Sequence, residues 1–245
     1  MAVFTLQLPT QVFLMNFDLY GFGPALLAGT WITIKLALCS LALGLCLGLG
    51  GALAKTSPYR VLRWLGDAYS TMVRGVPELL WVLLIYYGSV GFVRELGEAI
   101  GYPELELSAF SAGVLALGLC FGAYATEVFR GALLAIPRGH REAGLALGLS
   151  RPRILFRLVL PQMWRIAIPG LGNLFMILMK DTALVSVVGL DEVMRSAQVA
   201  VTSSKQPFTF FMVAAFIYLG LTVLSMLILH FFEKRANRGF VRSAA

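Results

Sequence analysis

The chain has 245 residues, of which 58% are hydrophobic and only 13% are charged. A soluble domain typically carries about 25% charged residues, so this composition excludes an ordinary soluble domain and indicates one that lies in lipid. The net charge of +7 is compatible with nucleic-acid binding, but the basic residues cluster at the ends of apolar runs, which favours a membrane protein.

Five apolar runs are long enough to cross a membrane, because a spanning helix needs about 20 mainly apolar residues. In chain order they cover 36–54, 76–92, 107–126, 166–190 and 208–232. The first helix is expected to begin near Pro24, and an amphipathic segment over 61–72 leads into the second. We therefore predict an all-α integral membrane protein with five transmembrane helices.

Lysine and arginine are distributed unequally over the connections between these runs. One side of the predicted membrane carries fourteen of them, and the other side carries three. The positive-inside rule then predicts an N-terminus outside the cell and a C-terminus in the cytoplasm.

The segment RGVPELL, residues 74–80, carries two opposite charges at the start of the second predicted helix. Arg74 and Glu78 are four residues apart and are expected to share one helix face as a structural ion pair, with a kink permitted by the glycine and proline between them. In ATEVFRG, Glu127 and Arg130 form a second expected structural pair at the cytoplasmic end of the third helix.

The segment REAGLALGLSRPRILFRLVLPQ, residues 141–162, links the third and fourth helices on the predicted cytoplasmic side. Pro137 can begin a short helix and Gly148 can end it, while Ser150 suits the N-cap of a second helix. Pro161 is expected to interrupt the chain before the fourth helix. Such a basic helical hairpin fits either anionic lipid headgroups or a soluble partner, and spacing alone leaves both open.

Two opposite charges, Lys180 and Asp181, lie within the fourth apolar run in LMKDTALVS. Charges inside a membrane are costly and usually face the bundle interior or a wet pathway. Pro169 and two nearby glycines are expected to loosen this helix upstream, as in a broken helix that lines a cavity. Consecutive residues point about 100° apart on a helix, so we expect one of the two charges to face the pathway. A pair satisfied within the packed bundle is the alternative.

Neither a nucleotide site nor a metal site is expected in this chain. The stretch LGGALAKTS superficially resembles a phosphate-binding loop, but Leu49 and Ala54 stand where that pattern requires glycine. The two histidines, His140 and His230, show no metal-ligand spacing. The energy for any transport must then come from a partner or from an ion gradient.

Most of the hairpin, EAGLALGLSRPRILFRLVLP, resembles the cytoplasmic signature of binding-protein-dependent ABC importer permeases. That signature has Glu-Ala-Ala, three residues, Gly, nine residues and then Ile-x-Leu-Pro. It is matched by Glu142, Ala143, Gly148, Leu160 and Pro161, with Gly144 and Leu158 as mild departures. RGVPELLWVLLIYYG, GAYATEVFRGALLAIPRGH and LMKDTALVSVVGL are similar to polar amino acid permeases of the histidine/glutamine type, most of all to Q-type permeases of histidine, arginine and opine importers.

The resemblance implies a permease subunit of an ATP-driven importer of polar amino acids, basic amino acids or opines above all, in a bacterial inner membrane. Two ATPase subunits would bind Mg-ATP and hydrolyse it, so this chain would be no enzyme and would hold no cofactor. A second permease, of the related M-type, and an extracytoplasmic binding protein would complete the assembly. The hairpin would couple to the ATPase through Glu142, Ala143, Gly144, Gly148, Leu160 and Pro161.

The resemblance also divides the chain into an extracytoplasmic segment 1–23, one permease domain 24–232 with its hairpin at 137–161, and a cytoplasmic tail 233–245. An amino acid substrate is a zwitterion, so its site needs both a cation and an anion. The candidates for substrate binding are Lys180, Asp181, Thr182 and Ser186, with Glu78 in reserve for a cationic side chain.

Two other classes of protein are alternatives to this interpretation. An ion-coupled secondary transporter would use Lys180–Asp181 and Arg74–Glu78 as its ion relay, but the sequence shows no inverted repeat, and five helices do not halve. A membrane anchor for a cytoplasmic complex would leave the charges within the fourth helix unexplained.

Overall fold

The computed structural model describes residues 16–99, 101 and 106–236, so the predicted N-terminal segment up to residue 15 and the tail from residue 237 lie outside the described residues. Within the described ranges the secondary structure is helical and contains no strand. After a short 3-10 turn, Asn16–Gly21, the α-helices are α1 (Gly23–Lys55), α2 (Arg60–Arg74), α3 (Glu78–Ala99), α4 (Ala109–Leu134), α5 (Arg138–Ala146), α6 (Arg151–Ile154), α7 (Leu160–Asp181), α8 (Val193–Ser204) and α9 (Pro207–Ala236).

Four stretches of the described chain are long and apolar enough to cross a membrane. They are Gly23–Lys55, Ala109–Leu134, Arg151–Val188 and Pro207–Ala236. A fifth span arises if α2 and the first part of α3, which bend by 101° at the break between them, are counted as one. This confirms an all-helical chain with four to five candidate spans. Helix α4, which corresponds to the third predicted transmembrane helix, continues beyond the predicted end at residue 126 to Leu134.

Helices α1 and α4 pack closely because both present small residues at their contact. A Cβ atom at Gly48 would lie only 2.6 Å from the Cβ of Ala125, and one at Gly44 would lie 2.5 Å from Cδ1 of Phe121. Lipid tails are as apolar as leucine, so membrane helices associate through such close packing rather than through exclusion of water. The glycines of α1 therefore set the distance between the two helices.

Helix α7 is not broken at Pro169, contrary to the expectation from the sequence. It continues through that proline to Asp181, and only then tightens into a 3-10 helix over Thr182–Val188. The nearby Gly172 serves packing instead, because a Cβ atom there would collide with Leu229 of α9. The change of helix type thus lies immediately after Lys180 and Asp181 rather than upstream of them.

Glu192 connects three helices just before α8. Its side chain is fully buried, and its Oε1 accepts a hydrogen bond of 2.9 Å from the backbone N–H of Arg195, which caps α8. Its Oε2 accepts 2.6 Å from the hydroxyl of Tyr218 in α9 and 3.4 Å from that of Thr33 in α1. Burial raises the pKa of Glu192, since desolvation disfavours the carboxylate, and these donors offset part of that cost.

Candidate functional site

A cavity of about 170 Å³ lies between α3, α4 and α7, and two carboxylates line it. Glu78 is the first residue of α3, and Asp181 is the last residue of α7. The remaining lining is aromatic and apolar apart from one thiol and one phenol: Leu117, Cys120, Phe121, Tyr124, Leu174, Ile177 and Leu178. Among these described lining residues there is no lysine or arginine. The cavity therefore offers acceptors and negative charge, which suits a ligand that carries a cation.

Tyr124 of α4 holds Glu78 in place. Its hydroxyl donates a hydrogen bond of 3.1 Å to Oε1 of Glu78. The guanidinium of Arg74 lies over the ring of Tyr124, 6.0 Å from the ring centroid, within the range of a cation–π contact. Tyr124 thus stands between the basic end of α2 and the acidic start of α3, and the sequence reasoning had not singled it out.

Arg74 and Glu78 do not share a helix face, so that expectation was wrong. The chain bends by 101° between α2, which Arg74 ends, and α3, which Glu78 begins. The bend follows from the intervening glycine and proline, which were expected only to kink a continuous helix. Nε of Arg74 instead donates 3.2 Å to the backbone carbonyl of Ser70.

The other residues predicted to bind substrate lie away from the cavity. Lys180 is exposed on the outside of the described chain, whereas its neighbour Asp181 lines the cavity. The two side chains can differ in this way because consecutive helical residues point about 100° apart. Thr182 and Ser186 are buried, and their hydroxyls donate to backbone carbonyls of the preceding turn, at 2.7 Å and 2.6 Å. Of the predicted set, the structure brings only Glu78 and Asp181 together.

A network of charges joins the ends of α1 and α4 to α2. Nζ of Lys55 bonds Oδ1 of Asp67 at 2.9 Å, Oγ of Ser70 at 2.8 Å and Oε1 of Glu127. Nε of Arg130 donates 2.8 Å to Oε2 of Glu127. Glu127 and Arg130 therefore lie together as the sequence suggested. Lys55 was missed because its partner lies far along the chain, where no local spacing reveals it.

The hairpin consists of α5 and α6, and Gly148 forms the turn after α5. Gly148 has φ +74°, a left-handed conformation that a residue with a side chain rarely adopts. The N–H of Leu149 bonds the carbonyl of Gly144 at 3.0 Å, and the N–H of Gly148 bonds that of Leu145 at 2.9 Å. This is the Schellman arrangement, which satisfies carbonyls left over at the end of a helix.

Two contacts hold the hairpin against the helix that follows. A Cβ atom at Gly144 would lie 3.0 Å from both Ile154 and Leu158, so the glycine lets the two arms of the hairpin approach closely. His140 and Gln162 are joined by a hydrogen bond of 2.8 Å between Nδ1 and Oε1. Of the predicted coupling residues, Gly144 is buried, whereas Glu142, Ala143, Gly148 and Pro161 are exposed.

Pro161 does not interrupt the chain, so this expectation was also wrong. A π-helical turn, Leu155–Val159, joins α6 directly to α7, and Pro161 lies in the first turn of α7. Proline lacks the N–H that an α-helix needs, and a π turn is one way to absorb such a defect without a break. The second arm of the hairpin is therefore continuous with α7, whose other end carries Asp181.

Residues 44–238 match the protein family described as binding-protein-dependent transport system inner membrane component. Two solved structures are similar in fold. One is an amino acid ABC transporter with histidines, at a TM-score of 0.76 and 29% identity over 89% of this chain and 97% of that one. The other is the MetNI methionine ABC transporter in an inward-facing conformation, at 0.71 and 18% identity over 89% and 99%.

Three relatives are similar in sequence over nearly the whole chain. The histidine/lysine/arginine/ornithine transport system permease protein HisQ of Escherichia coli (strain K12) is 40% identical over 225 residues, which cover 92% of this chain and 99% of HisQ. The arginine ABC transporter permease protein ArtQ of the same strain is 43% identical over 220 residues, 84% and 92% of the two chains. The nopaline transport system permease protein NocQ of Agrobacterium fabrum is 44% identical over 225 residues, 91% and 95%.

Proposed function

Because this chain belongs to the family of binding-protein-dependent transport system inner membrane components, we propose that it conducts amino acids or opines with a cationic side chain. The chain is an inner-membrane permease subunit of an ABC importer of the amino acid and opine type. HisQ, ArtQ and NocQ are named for histidine, lysine, arginine, ornithine and nopaline, which supports a basic substrate.

The cavity between α3, α4 and α7 is the observation that carries this proposal. Glu78 and Asp181 both line it, and a cation between two neighbouring carboxylates stabilises their charged forms. A guanidinium presents several N–H donors in a planar fork that suits carboxylate oxygens. The cavity is mainly apolar elsewhere, which accommodates the methylene groups of such a side chain. We therefore assign the cationic end of the substrate to Glu78 and Asp181.

The hairpin supports a proposal about the partners. Its exposed surface combines Glu142 with apolar side chains, and Leu147 is 80% exposed. An exposed leucine beside the Gly148 turn fits a groove on another protein better than it fits water. We assign this surface to an ATPase subunit that hydrolyses Mg-ATP, so the N-terminus lies outside and the hairpin in the cytoplasm.

The direct continuity of α6 with α7 suggests how the partner acts. Movement of the hairpin is carried along one helical stretch to Asp181, so closure of the ATPase alters the cavity. A second permease, of the M-type, and an extracytoplasmic binding protein complete the proposed assembly. Lys180, the residue before Asp181, is exposed on the outer surface of this chain, where a second permease can contact it. No observation favours the ion-coupled alternative, since the matched family depends on a binding protein.

Reconstitution of the complete importer in vesicles tests this function. We expect ATP-dependent uptake of labelled arginine with the binding protein present, and much weaker uptake of labelled glutamine, which has a neutral side chain of similar polarity. Vesicles with the permease pair but without the ATPase subunits are the control. Uptake that is independent of ATP, or that prefers glutamine, would contradict the proposal.

A further inference from the structure

A second, basic pocket of about 280 Å³ lies at the base of the hairpin, apart from the acidic cavity. Four of its eight described lining residues are cationic, and none is acidic. They are Lys55 at the end of α1, Arg130 near the end of α4, and Arg138 and Arg141 of α5. The pocket thus collects positive charge from two spanning helices and from the hairpin.

The four cations are not equivalent as ligands. Lys55 has three N–H donors, and Asp67, Ser70 and Glu127 use them, so it has no donor left for a ligand. Arg130 lines the pocket and bonds Glu127 through Nε, so this bond does not use its two terminal nitrogens. The two carboxylates of the network are thereby balanced by Lys55 and Arg130.

Arg138 and Arg141 supply the excess charge. Both side chains are exposed. The two residues lie on the same face of α5 because they are three positions apart. With the terminal nitrogens of Arg130, they form a set of guanidinium donors around one space. Arginine forks match phosphate oxygens in geometry as well as in charge.

One exposed apolar side chain in the lining of the pocket decides the source of the phosphate. Leu133, Leu134, Ile136 and Thr56 complete the lining. Leu133 and Ile136 are buried, whereas Leu134 is 65% exposed. Leu134 is the last residue of α4, a helix long and apolar enough to span a membrane, so we place it where the bilayer changes from acyl chains to headgroups. A soluble phosphate compound would gain nothing from exposed leucine, whereas a lipid places its acyl chain there.

We propose that this pocket binds the phosphate of an anionic phospholipid of the cytoplasmic leaflet. Basic pockets at that side of a membrane protein attract anionic headgroups. The bound lipid joins the end of α4, through Arg130, to the hairpin helix, through Arg138 and Arg141, so it steadies the hairpin against the bundle. The assignment of the leaflet rests on the proposed orientation, but the binding itself does not depend on which substrate is carried.

Native mass spectrometry of the intact importer tests the pocket, with dioleoyl phosphatidylglycerol and dioleoyl phosphatidylcholine as probes. We expect retention of phosphatidylglycerol over phosphatidylcholine, and an apparent affinity at least roughly tenfold lower in the double variant Arg138→Gln, Arg141→Gln, since each basic residue near the surface contributes to binding an anionic lipid. The matched control is Arg151→Gln, Arg153→Gln, which removes the same charge from exposed hairpin residues outside the pocket. It should retain the lipid.

Three results would overturn the proposal. Equal loss of phosphatidylglycerol in both double variants would reduce the effect to general surface charge. Equal retention in the wild type and in the Arg138→Gln, Arg141→Gln variant would remove the pocket from the explanation. Displacement of the lipid by excess inorganic phosphate would assign the pocket to a soluble anion. Transport of arginine by the same preparation reports separately on the proposed function.

Discussion

Glu78 and Asp181 line one cavity although they occupy opposite ends of different helices, since Glu78 begins α3 and Asp181 ends α7. Both positions lie at a change of backbone geometry. The bend after Arg74 brings Glu78 inward, and the change to a 3-10 helix after Asp181 ends α7 at the cavity. Either carboxylate can therefore be moved by a rearrangement of the helix that carries it.

Removal of one cavity carboxylate should weaken transport of a cationic substrate specifically. We expect Glu78→Gln and Asp181→Asn each to raise the half-saturating arginine concentration roughly 30-fold, because losing one partner of a charge pair away from water costs about 2 kcal/mol or more. Uptake by the reconstituted importer measures this. Asp191→Asn is the control, since its side chain is 78% exposed and lies outside the cavity. An unchanged half-saturating concentration in both variants would remove the pair from the binding site.

The network around Lys55 should contribute to stability rather than to binding. Its side chain is 10% exposed and that of Glu127 is 22% exposed, so this pair is shielded from solvent. Glu127→Gln should lower the free energy of unfolding by about 2 kcal/mol, because it leaves Lys55 and Arg130 short of a counter-charge. The thermal unfolding midpoint of the purified protein measures the change.

An exposed ion pair in the same chain provides the comparison. Asp191 and Arg195 are four residues apart with 4.0 Å between Oδ1 and Nε, and the side chain of Asp191 is 78% exposed while that of Arg195 is 44% exposed. Asp191→Asn should therefore change stability by less than about 0.5 kcal/mol. A loss in Glu127→Gln no larger than in Asp191→Asn would contradict a stabilising role for the network.

The sequence allowed the spanning helices and the hairpin to be predicted because their signals are local. Runs of apolar residues, Pro137 and Gly148 each mark an element from within a few residues. The role of Gly172 could not be predicted in the same way. A glycine in a helix can loosen it or can admit a neighbour, and only the position of Leu229 decides between them.

The acidic cavity was only half visible in the sequence for the same reason. Asp181 stood out because charges within apolar runs are costly, and Glu78 because it lies four residues from Arg74. Tyr124 lacks that signal, and its hydrogen bond to Glu78 joins residues of different helices. Helix α8 was missed because its 12 residues are too few and too polar for a membrane span. Packing against α1 and α9 then stabilises it, and the buried Glu192 caps it.

Cysteine labelling should establish the proposed orientation. Cys39 and Cys46 are exposed and must first be replaced, whereas Cys120 is buried. In that background, Glu98→Cys should react with an impermeant thiol reagent from outside the cell. Ser150→Cys should react only from the cytoplasmic side, because the positive-inside rule places the hairpin there. Reversed labelling of the two positions would overturn the orientation.

The exposed carboxylate of Glu142 should contribute to docking of the ATPase. We expect Glu142→Lys to insert normally in the membrane but to lose the ATPase subunit during purification, since the substitution reverses a charge at the proposed contact. Glu142→Gln is the control, because it removes the charge without reversing it and should have the smaller effect. Full retention of the ATPase by Glu142→Lys would exclude Glu142 from the interface.

Gly148 is the sharpest probe of the hairpin, because its conformation and its surroundings can be separated. No atom lies within 4 Å of a Cβ placed there, so a side chain meets no clash within the chain, but φ is +74°. Gly148→Val should lower the stability of the protein by about 1 kcal/mol or more, since a β-branched residue tolerates that region poorly, whereas asparagine adopts it readily.

We expect both Gly148→Val and Gly148→Asn to insert normally. Substrate-stimulated ATP hydrolysis by the complete importer should fall in the valine variant and be largely retained in the asparagine variant if the shape of the turn is what couples. A loss in both variants would show instead that the partner approaches the turn too closely for any side chain. Normal ATP hydrolysis and normal transport in the Gly148→Val variant would contradict the proposal that this turn couples the ATPase to the permease.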